Sequence, residues 1–498
     1  MPPAPTGAGR ALPQGFRIRW DNRVRMWADG SVLVGGSPWR VSVLHPTVAH
    51  LAARIRRAGV AGVAVVHPVD RRAARALLDR GFVHPVPARQ QPADLVESRT
   101  AHSTAVVVPT RDRAASVDRL LTALKRPGVL IVDDASADPA ALAAVARRHG
   151  ADILRQSVNT GPAAARNRAS ASVSSPFIAF LDSDCIAPAD WAERLLHHFT
   201  DPAVAAVAPR VLPAPQHPSA LARYEWHHSS LDMGVHPGLA TPGAHPGFLP
   251  TAALVVRRSA LGEGFDPGLR LGEDVDLCWR LVAAGWLVRY DTSVIVRHEG
   301  PGSLRTWLGQ RARYGSSAPA LARRHPQHLA PAVVSSWNLA TLTALAAGNP
   351  TAAVAIAGTA SVLLGEQLRD LPHGRALAAR TALLGLAADA AGIGRLLRRE
   401  WWPIGALAVA TSPRSRAARI ITAAIVAPLV WEWLRGPRPL DLPRYLALRV
   451  LDDAAYGTGV VAASLRERSS APLIPRVRTT SRPRASVTRR PRLPLPRL

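Results

Sequence analysis

Apolar positions change their periodicity along the chain. From residue 101 onward, short apolar runs at 105–108, 129–132, 152–154 and 177–181 are rich in β-branched residues, and each is followed by a helix-length segment. That alternation predicts a parallel sheet with covering helices. Crossovers in such sheets keep one hand, so the carboxyl ends of the strands share an edge, where ligands bind. Upstream, residues 16–20 and 24–27 read as a hairpin, followed by a strand at 31–34 and a Gly35-Gly36 break. His45-Pro46-Thr47 then opens a helix, residues 71–79 form another, and Gly81-Phe82-Val83 reads as a helix stop and short strand. This is the pattern of a small winged-helix-like α+β domain. Downstream of residue 315 the chain is rich in Ala and Leu and reads as helical. The expected plan is a first domain at 1–89, a polar linker at 90–100, an α/β domain at 101–315, a helical region at 316–464 and a disordered Arg/Pro-rich tail at 465–498.

The strand ends carry the candidate chemistry. The first strand ends in Val108-Pro109-Thr110-Arg111-Asp112 and the second in Val132-Asp133-Asp134-Ala135-Ser136. Carboxylates and hydroxyls there suit base or ribose contacts, although the same residues cap helices. Asn159-Thr160-Gly161-Pro162 opens a helix bearing Arg166 and Asn167. A helix N-terminus favours an anion, and an arginine could reach a diphosphate. The fourth strand ends abruptly in Asp182-Ser183-Asp184. Two carboxylates so close repel unless a cation or solvent offsets them, and Mg²⁺ or Mn²⁺ shares such oxygens with phosphates. Leu271-Gly272-Glu273-Asp274-Val275-Asp276 begins an amphipathic helix. Its acids complement the helix dipole, or one serves as a general base, for which Asp274 is the candidate. His298 follows the strand at 293–297, beyond the acidic helix, where a third metal ligand would come from.

Composition changes this picture little. Hydrophobic residues make up 48% of 498, enough for a sizeable core. The two cysteines, Cys185 and Cys278, exclude a disulfide framework or a four-cysteine zinc site and read as small buried hydrophobes. A net charge of +27 suggests polyanion contact, but much of it sits past Leu465, where ten arginines accompany only Glu467. Nucleic acid is therefore not an expected partner. The segment up to Gln14 lacks the apolar stretch of a secretory signal.

These residues, in this order, resemble the GT-A fold of inverting family 2 glycosyltransferases, a Rossmann-like, mainly parallel α/β fold. The resemblance implies nucleotide-sugar contacts from Pro109, Thr110, Asp134, Arg166 and Asp182. It implies a divalent metal, Mg²⁺ or Mn²⁺, at Asp182, Asp184 and His298, with Asp274 as the catalytic base. Acceptor contacts are expected from Glu273 and Trp279. Gln310-Arg311-Ala312-Arg313-Tyr314 is similar to the Gln-x-x-Arg-Trp motif of processive β-glycan synthases, which adds Gln310, Arg313 and Tyr314 at the acceptor. Leu12-Pro13-Gln14-Gly15-Phe16, the stretch Val34-Gly35-Gly36-Ser37-Pro38-Trp39-Arg40-Val41, Gly81-Phe82-Val83-His84-Pro85 and Tyr314-Gly315-Ser316-Ser317-Ala318 resemble the mycofactocin-system glycosyltransferases. That resemblance implies UDP-glucose as donor, a peptide-derived redox-cofactor precursor as acceptor, a growing β-1,4-glucose chain, and a peptide-recognition role for the first domain.

Residues 329–365 carry no charge but break at Gly348-Asn349-Pro350, and residues 420–431 are uncharged but short. With arginines flanking, the expected place is the cytoplasmic face of the cell membrane, the alternative being the cytoplasm. Two other functions remain open: a cell-envelope polysaccharide glycosyltransferase with a lipid-linked acceptor, and a winged-helix nucleic-acid-binding regulator. The regulator leaves Asp182, Asp184 and Asp274 without a purpose.

Overall fold

A computed structural model describes residues 11–87, 104–215 and 218–479. The linker expected at 90–100 and the tail from 480 lie outside the described residues. The chain divides into two compact units: the first runs up to Pro215 and resumes over Ser229–Glu299, and the second takes the intervening segment through His228 and the chain from Gly300.

The first unit begins with strands β1 (Phe16–Trp20), β2 (Arg25–Trp27), β3 (Val32–Gly35), β4 (Arg40–Val43), β5 (Val63–Val65) and β6 (Val83–Pro85), and helices Pro46–Ala58 and Pro68–Leu78. They form two antiparallel three-stranded sheets, β5-β1-β6 and β2-β3-β4. The hairpin expected between 16–20 and 24–27 does not form, because Asp21 turns the chain out of the first sheet. Its carboxylate accepts from the Arg23 amide at 2.8 Å and lies 2.8 Å from His84 Nε2, while the Val24 amide donates to its carbonyl. These pairings do not confirm the winged-helix expectation. Phe16, Ile18, Leu51, Ile55, Leu77 and Phe82 make the core of this module. Buried Arg75 ties it to the rest of the unit, donating to both oxygens of Asp201 at 2.6 and 2.8 Å.

The larger sheet has nine strands: β7 (Thr104–Thr110), β8 (Leu130–Asp133), β9 (Asp152–Arg155), β10 (Phe177–Leu181), β11 (Cys185–Ile186), β12 (Val204–Pro213), β13 (Gly238–Leu239), β14 (Ala253–Arg257) and β15 (Leu287–His298). Their order is β11-β15-β12-β14-β10-β7-β8-β9, with β13 on β15. Strands β10, β7, β8 and β9 are parallel, whereas β14 runs antiparallel between β10 and β12. The sheet is thus mixed, parallel on the side that carries the first motifs. All five residues of β10 are buried, as a central strand with both faces covered requires. Strand β9 is the edge, and Ile153 in it is exposed, so its apolar run marks a strand without a buried face.

Several of the chain's 44 prolines stand in the first turns of helices, although Pro428 lies inside helix Arg416–Arg435. Helices Pro46–Ala58, Pro68–Leu78, Pro139–His149, Pro162–Ser172 and Pro350–Gln367 all open on proline. There its missing N–H costs no intrahelical bond and its fixed φ suits the helix.

The second unit is helical, with a short parallel pair of β16 (Val333–Ser335) and β17 (Arg476–Arg478). The tail expected to be disordered from Leu465 is therefore ordered as far as residue 479. Leu465 and Arg466 complete the long helix Leu442–Arg466, and Arg476–Arg478 finds backbone partners that composition alone does not reveal. Helix Leu304–Gly315, placed by the sequence in the α/β domain, belongs to this second unit. It packs backbone to backbone on Leu442–Arg466: a Cβ on Gly459 would stand 1.8 Å from the Ala312 carbonyl oxygen, so only glycine fits there.

Candidate active site

One strand pairing and the backbone bond beside it assemble the site. Cys185 in β11 lies opposite His298 at the end of β15, and the Glu299 amide donates to the Asp184 carbonyl at 2.9 Å. The chain after Asp182-Ser183-Asp184 is thereby zipped against the strand that ends in the histidine. His298 Nε2 lies 3.2 Å from Asp184 Oδ1. Arg113, at the start of helix Ala114–Leu124, ion-pairs with Asp184 Oδ2. Burial opposes both charges, but His298 and Arg113 outweigh it and hold the Asp184 carboxyl down at about 2. Burial likewise opposes the His298 charge, and Asp184 overcomes it to raise the imidazole above its usual value. A carboxylate oxygen and an imidazole nitrogen that converge at this distance fit a divalent cation, which would replace the imidazolium proton.

Asp182 is tied to the acidic helix through Arg166. Its Oδ1 accepts from Arg166 Nη2 at 2.7 Å, and Arg166 Nη1 donates to Glu273 Oε1 at 2.8 Å. Arg166 is 2% exposed and leans on the Phe265 ring at 5.5 Å. Expected to contact the nucleotide, it is instead a buried bridge between the strand end carrying Asp182 and the helix Glu273–Ala283. Asn167, one residue on, clasps the Phe265 backbone, accepting from its amide at 2.8 Å and donating to its carbonyl at 2.7 Å. Helix Pro162–Ser172 therefore positions the loop that leads into the acidic helix. Glu273, expected at the acceptor, is buried and spent on Arg166.

Asp274 is half-buried, with the Val275 amide donating to it at 2.8 Å. Burial, and then the Glu273 charge, push its carboxyl up to about 7. Such a group is ionised often enough to take a proton at neutral pH and basic enough to keep it briefly, the compromise a general base needs. Trp279, expected to face the acceptor, is 7% exposed, and its indole N–H donates to the Gly247 carbonyl at 2.9 Å. It anchors the loop before β14 and does not present its ring to solvent. The same loop meets the N-terminal module, where Ser37 Oγ donates to the His245 carbonyl at 3.1 Å.

On the nucleotide side the Asp134 carboxylate holds the turn at residues 160–161. It accepts from the Thr160 and Gly161 amides at 2.8 Å each, and from Gln156 Nε2 at 3.1 Å. It shapes the turn that starts helix Pro162–Ser172, with Oδ1 taking the Thr160 and Gln156 bonds and Oδ2 the Gly161 bond. Thr110 ends β7 opposite Asp133, and its buried hydroxyl finds no partner among the described residues. Pro109 sits one residue earlier, in register with Val132.

The sequence reading missed Arg270. This exposed arginine lies against Gly161, where a Cβ would stand 3.2 Å from its Nη1, and Nη1 donates to Asn159 Oδ1 at 3.4 Å. A solvent-facing guanidinium beside a helix N-terminus has the charge and the place that suit an anion. Only its isolation in the loop before the acidic helix could have signalled it. Arg270→Ala is expected to raise the donor KM about ten- to a hundred-fold, the cost of one or two charge-assisted hydrogen bonds, with kcat changed less. Initial-rate measurements against donor concentration test this, and an unchanged KM would remove Arg270 from the donor site.

Gln310, Arg313 and Tyr314 lie on helix Leu304–Gly315 of the second unit. The buried residue of that stretch is Arg311, which pairs with Glu225 and Asp452 and stacks on Trp307 at 5.3 Å. Arg313 is exposed.

Residues 105–264 match the model of glycosyl transferase family 2. The chain is similar to a pre-mycofactocin glycosyltransferase of Mycobacterium tuberculosis, with 37% identity over 482 residues, covering 94% of this chain and 99% of that protein. A succinoglycan biosynthesis protein of Rhizobium meliloti is 31% identical over 269 residues, 45% of this chain and 74% of its own. Among solved structures, a mannosyltransferase from Pyrobaculum calidifontis in complex with GDP-Man and Mn²⁺ aligns at a TM-score of 0.40 and 17% identity, over 74% of this chain and 88% of that one. The family match and the mixed sheet agree with the expected GT-A fold.

Proposed function

The chain belongs to the pre-mycofactocin glycosyltransferases, and from that membership we propose that it transfers glucose from UDP-glucose to the peptide-derived precursor, extending a β-1,4-linked chain with inversion. The observation that carries the chemistry is a separation of roles. An Asp184–His298 pair suited to a cation lies at one strand end, and a separate carboxyl, Asp274, has its pKa raised to about 7. Asp274 takes the proton of the attacking acceptor hydroxyl, whose oxygen bonds to the anomeric carbon as the bond to UDP breaks on the opposite face. Asp184 and His298 would hold a divalent ion, which when bound neutralises charge on the departing diphosphate. Arg270 and the start of helix Pro162–Ser172 draw the diphosphate in. Arg166 keeps Asp182 and the base helix in fixed relation.

Purified enzyme with UDP-glucose, Mn²⁺ and the precursor should give products heavier by successive hexoses in mass spectrometry. Activity should vanish with EDTA and return with Mn²⁺. Transfer from another nucleotide sugar only, or to a lipid-linked acceptor only, would overturn the donor or the acceptor assignment respectively.

The Ser37–His245 contact supports an acceptor-side role for the N-terminal module, since the loop it touches is pinned to the base helix through Gly247 and Trp279.

We also place the protein at the membrane. Helices Gly374–Arg398 and Arg416–Arg435 are long and apolar enough to cross a bilayer, yet most of their surface is not buried by the protein. Leu383, Leu384 and Trp431 on these helices are 67%, 56% and 57% exposed. Apolar faces left uncovered like this favour lipid. Arg435 and Arg438 stack on Trp431 and Trp433 at the end of the second helix, the pairing of aromatic and cation that suits an anionic interface. Trp431→Glu combined with Leu434→Glu is expected to lower partition onto phosphatidylglycerol vesicles by about ten-fold or more, since each large apolar side chain contributes about 1.5–3 kcal/mol. Vesicle flotation measures this, and unaltered flotation would refute the assignment.

A further inference from the structure

Outside the catalytic edge, the segment Glu193–Thr200 carries two consecutive histidines, His197 and His198, exposed by only 1% and 4%. Their hydrogen bonds settle which nitrogens carry protons. His197 Nδ1 lies 3.0 Å from the Arg194 carbonyl oxygen, which can only accept, so Nδ1 bears the hydrogen and Nε2 keeps a lone pair. His198 Nε2 lies 2.8 Å from Asp291 Oδ2, and by the same reasoning Nε2 bears the hydrogen. Among the described residues neither His197 Nε2 nor His198 Nδ1 has a hydrogen-bond partner. Bare lone pairs in a dry interior cost free energy, and protonating them would bury unpaired charge instead.

Asp291 completes the group. Strand β15 breaks register with β12 just after it, passing from Pro209 opposite Asp291 to Arg210 opposite Ile295. The bulge is pinned by the Ser293 amide, which donates to Asp291 Oδ1 at 2.8 Å, and by Arg194 Nη2, which donates to the Ser293 carbonyl at 2.8 Å. Bulges re-aim side chains, and this one turns Asp291 Oδ2 toward the imidazoles. One ligand atom from each of His197, His198 and Asp291 lies within 4.8 Å of the others, the one such group among the described residues.

We propose that His197, His198 and Asp291 form a second metal site, for a zinc-class transition ion, that staples the bulge of the strand ending in His298. Two imidazoles and a carboxylate suit Zn²⁺ better than Mg²⁺, which prefers oxygen ligands throughout. The bond from His197 Nδ1–H to a backbone carbonyl is the outer contact that ligating histidines ordinarily make. On binding, the His198 hydrogen passes from Nε2 to Nδ1, so the imidazole stays neutral and Nε2 and Asp291 Oδ2 are freed for the ion. The Arg289 charge faces the same region, and Asp79 and Asp201 offset it there.

The test uses the tag-free full chain, grown with zinc and passed through gel filtration in EDTA, with metal counted by mass spectrometry. About one zinc per chain should remain, as expected for a buried structural ion. It should be lost from both His197→Gln and Asp291→Asn and retained by Asp184→Ala. Removing zinc from the wild type with a strong chelator should lower its Tm, and Zn²⁺ but not Mg²⁺ should restore it. Wild type without zinc, zinc kept by both site variants, or zinc lost only from Asp184→Ala would each overturn the proposal, and the wild-type measurements stand even if a variant fails to fold.

Discussion

Asp274→Asn is expected to lower kcat about 10²- to 10⁴-fold, the range a positioned general base contributes, while donor affinity stays within a few-fold. Asparagine keeps the shape and can still accept from the Val275 amide, so the loss isolates proton transfer. The wild-type pH profile should show the same group. Burial and the neighbouring Glu273 push Asp274 up to about 7, so kcat/KM should rise with pH through about 7 as the base ionises, and that limb should be absent from the residual activity of the variant. Stability carries a second sign. A carboxyl whose folded pKa is raised binds its proton more tightly in the folded state, so it favours folding at low pH. That contribution is lost as pH climbs from the ordinary carboxyl value through about 7. At pH 8 the ionised base destabilises the fold, and Asp274→Asn should melt at a higher temperature than the wild type. A variant that is dead but no more stable would mean that Asp274 is not held as described, and one that remains active would remove it as the base.

The second large effect is expected at Arg166. Its two terminal nitrogens serve different partners, Asp182 on one side and Glu273 on the other, at 2.7 and 2.8 Å. Arg166→Met keeps the bulk and leaves the buried Glu273 carboxylate and the half-buried Asp182 carboxylate without the cation between them. Breaking a buried pair from one side costs about 3–5 kcal/mol, enough to lower Tm by several degrees and to release the start of the base helix. Arg166→Lys restores charge but has one nitrogen where two are needed. It should recover part of the melting temperature and little of kcat. Glu273→Gln, which leaves a neutral partner, should fall between wild type and Arg166→Met in stability. Thermal unfolding with single-turnover kinetics separates the two consequences, and full activity in Arg166→Lys would show that the bridge is dispensable.

The uneven legibility of the site has a physical basis. Strand ends are local events. An apolar run followed by Asp-x-Asp announces itself whatever surrounds it, and so does Gly161-Pro162 at a helix start, where φ of +91° requires glycine. Both cysteines are buried and free, as two such residues in apolar runs suggest. The partner a side chain chooses is not local. Arg166 sits on an exposed-looking helix of small residues, and nothing nearby in sequence reveals that Glu273, more than a hundred residues on, will neutralise it. Trp279 has the amphipathic look of a sugar-stacking residue, but its indole N–H has a carbonyl to satisfy at Gly247. Arg270 has no motif around it and acquires meaning only because Gly161 folds against it.

What the sequence by itself determined is the order of chemistry: the α/β rhythm, the carboxylates at strand ends, the acidic helix, the histidine after the last long strand, and the helical second half. Those follow from periodicity and from residue types that few folds tolerate by accident. What only the tertiary structure decided is which of those groups are joined. The β11–β15 register makes Asp184 and His298 a pair, Arg166 makes Asp182 and the base helix one assembly, and a bulge in β15 turns Asp291 onto two histidines. Each depends on contacts distant in sequence, where burial makes an unpaired charge or lone pair too costly to leave alone, and that cost is not written in any single segment of the chain.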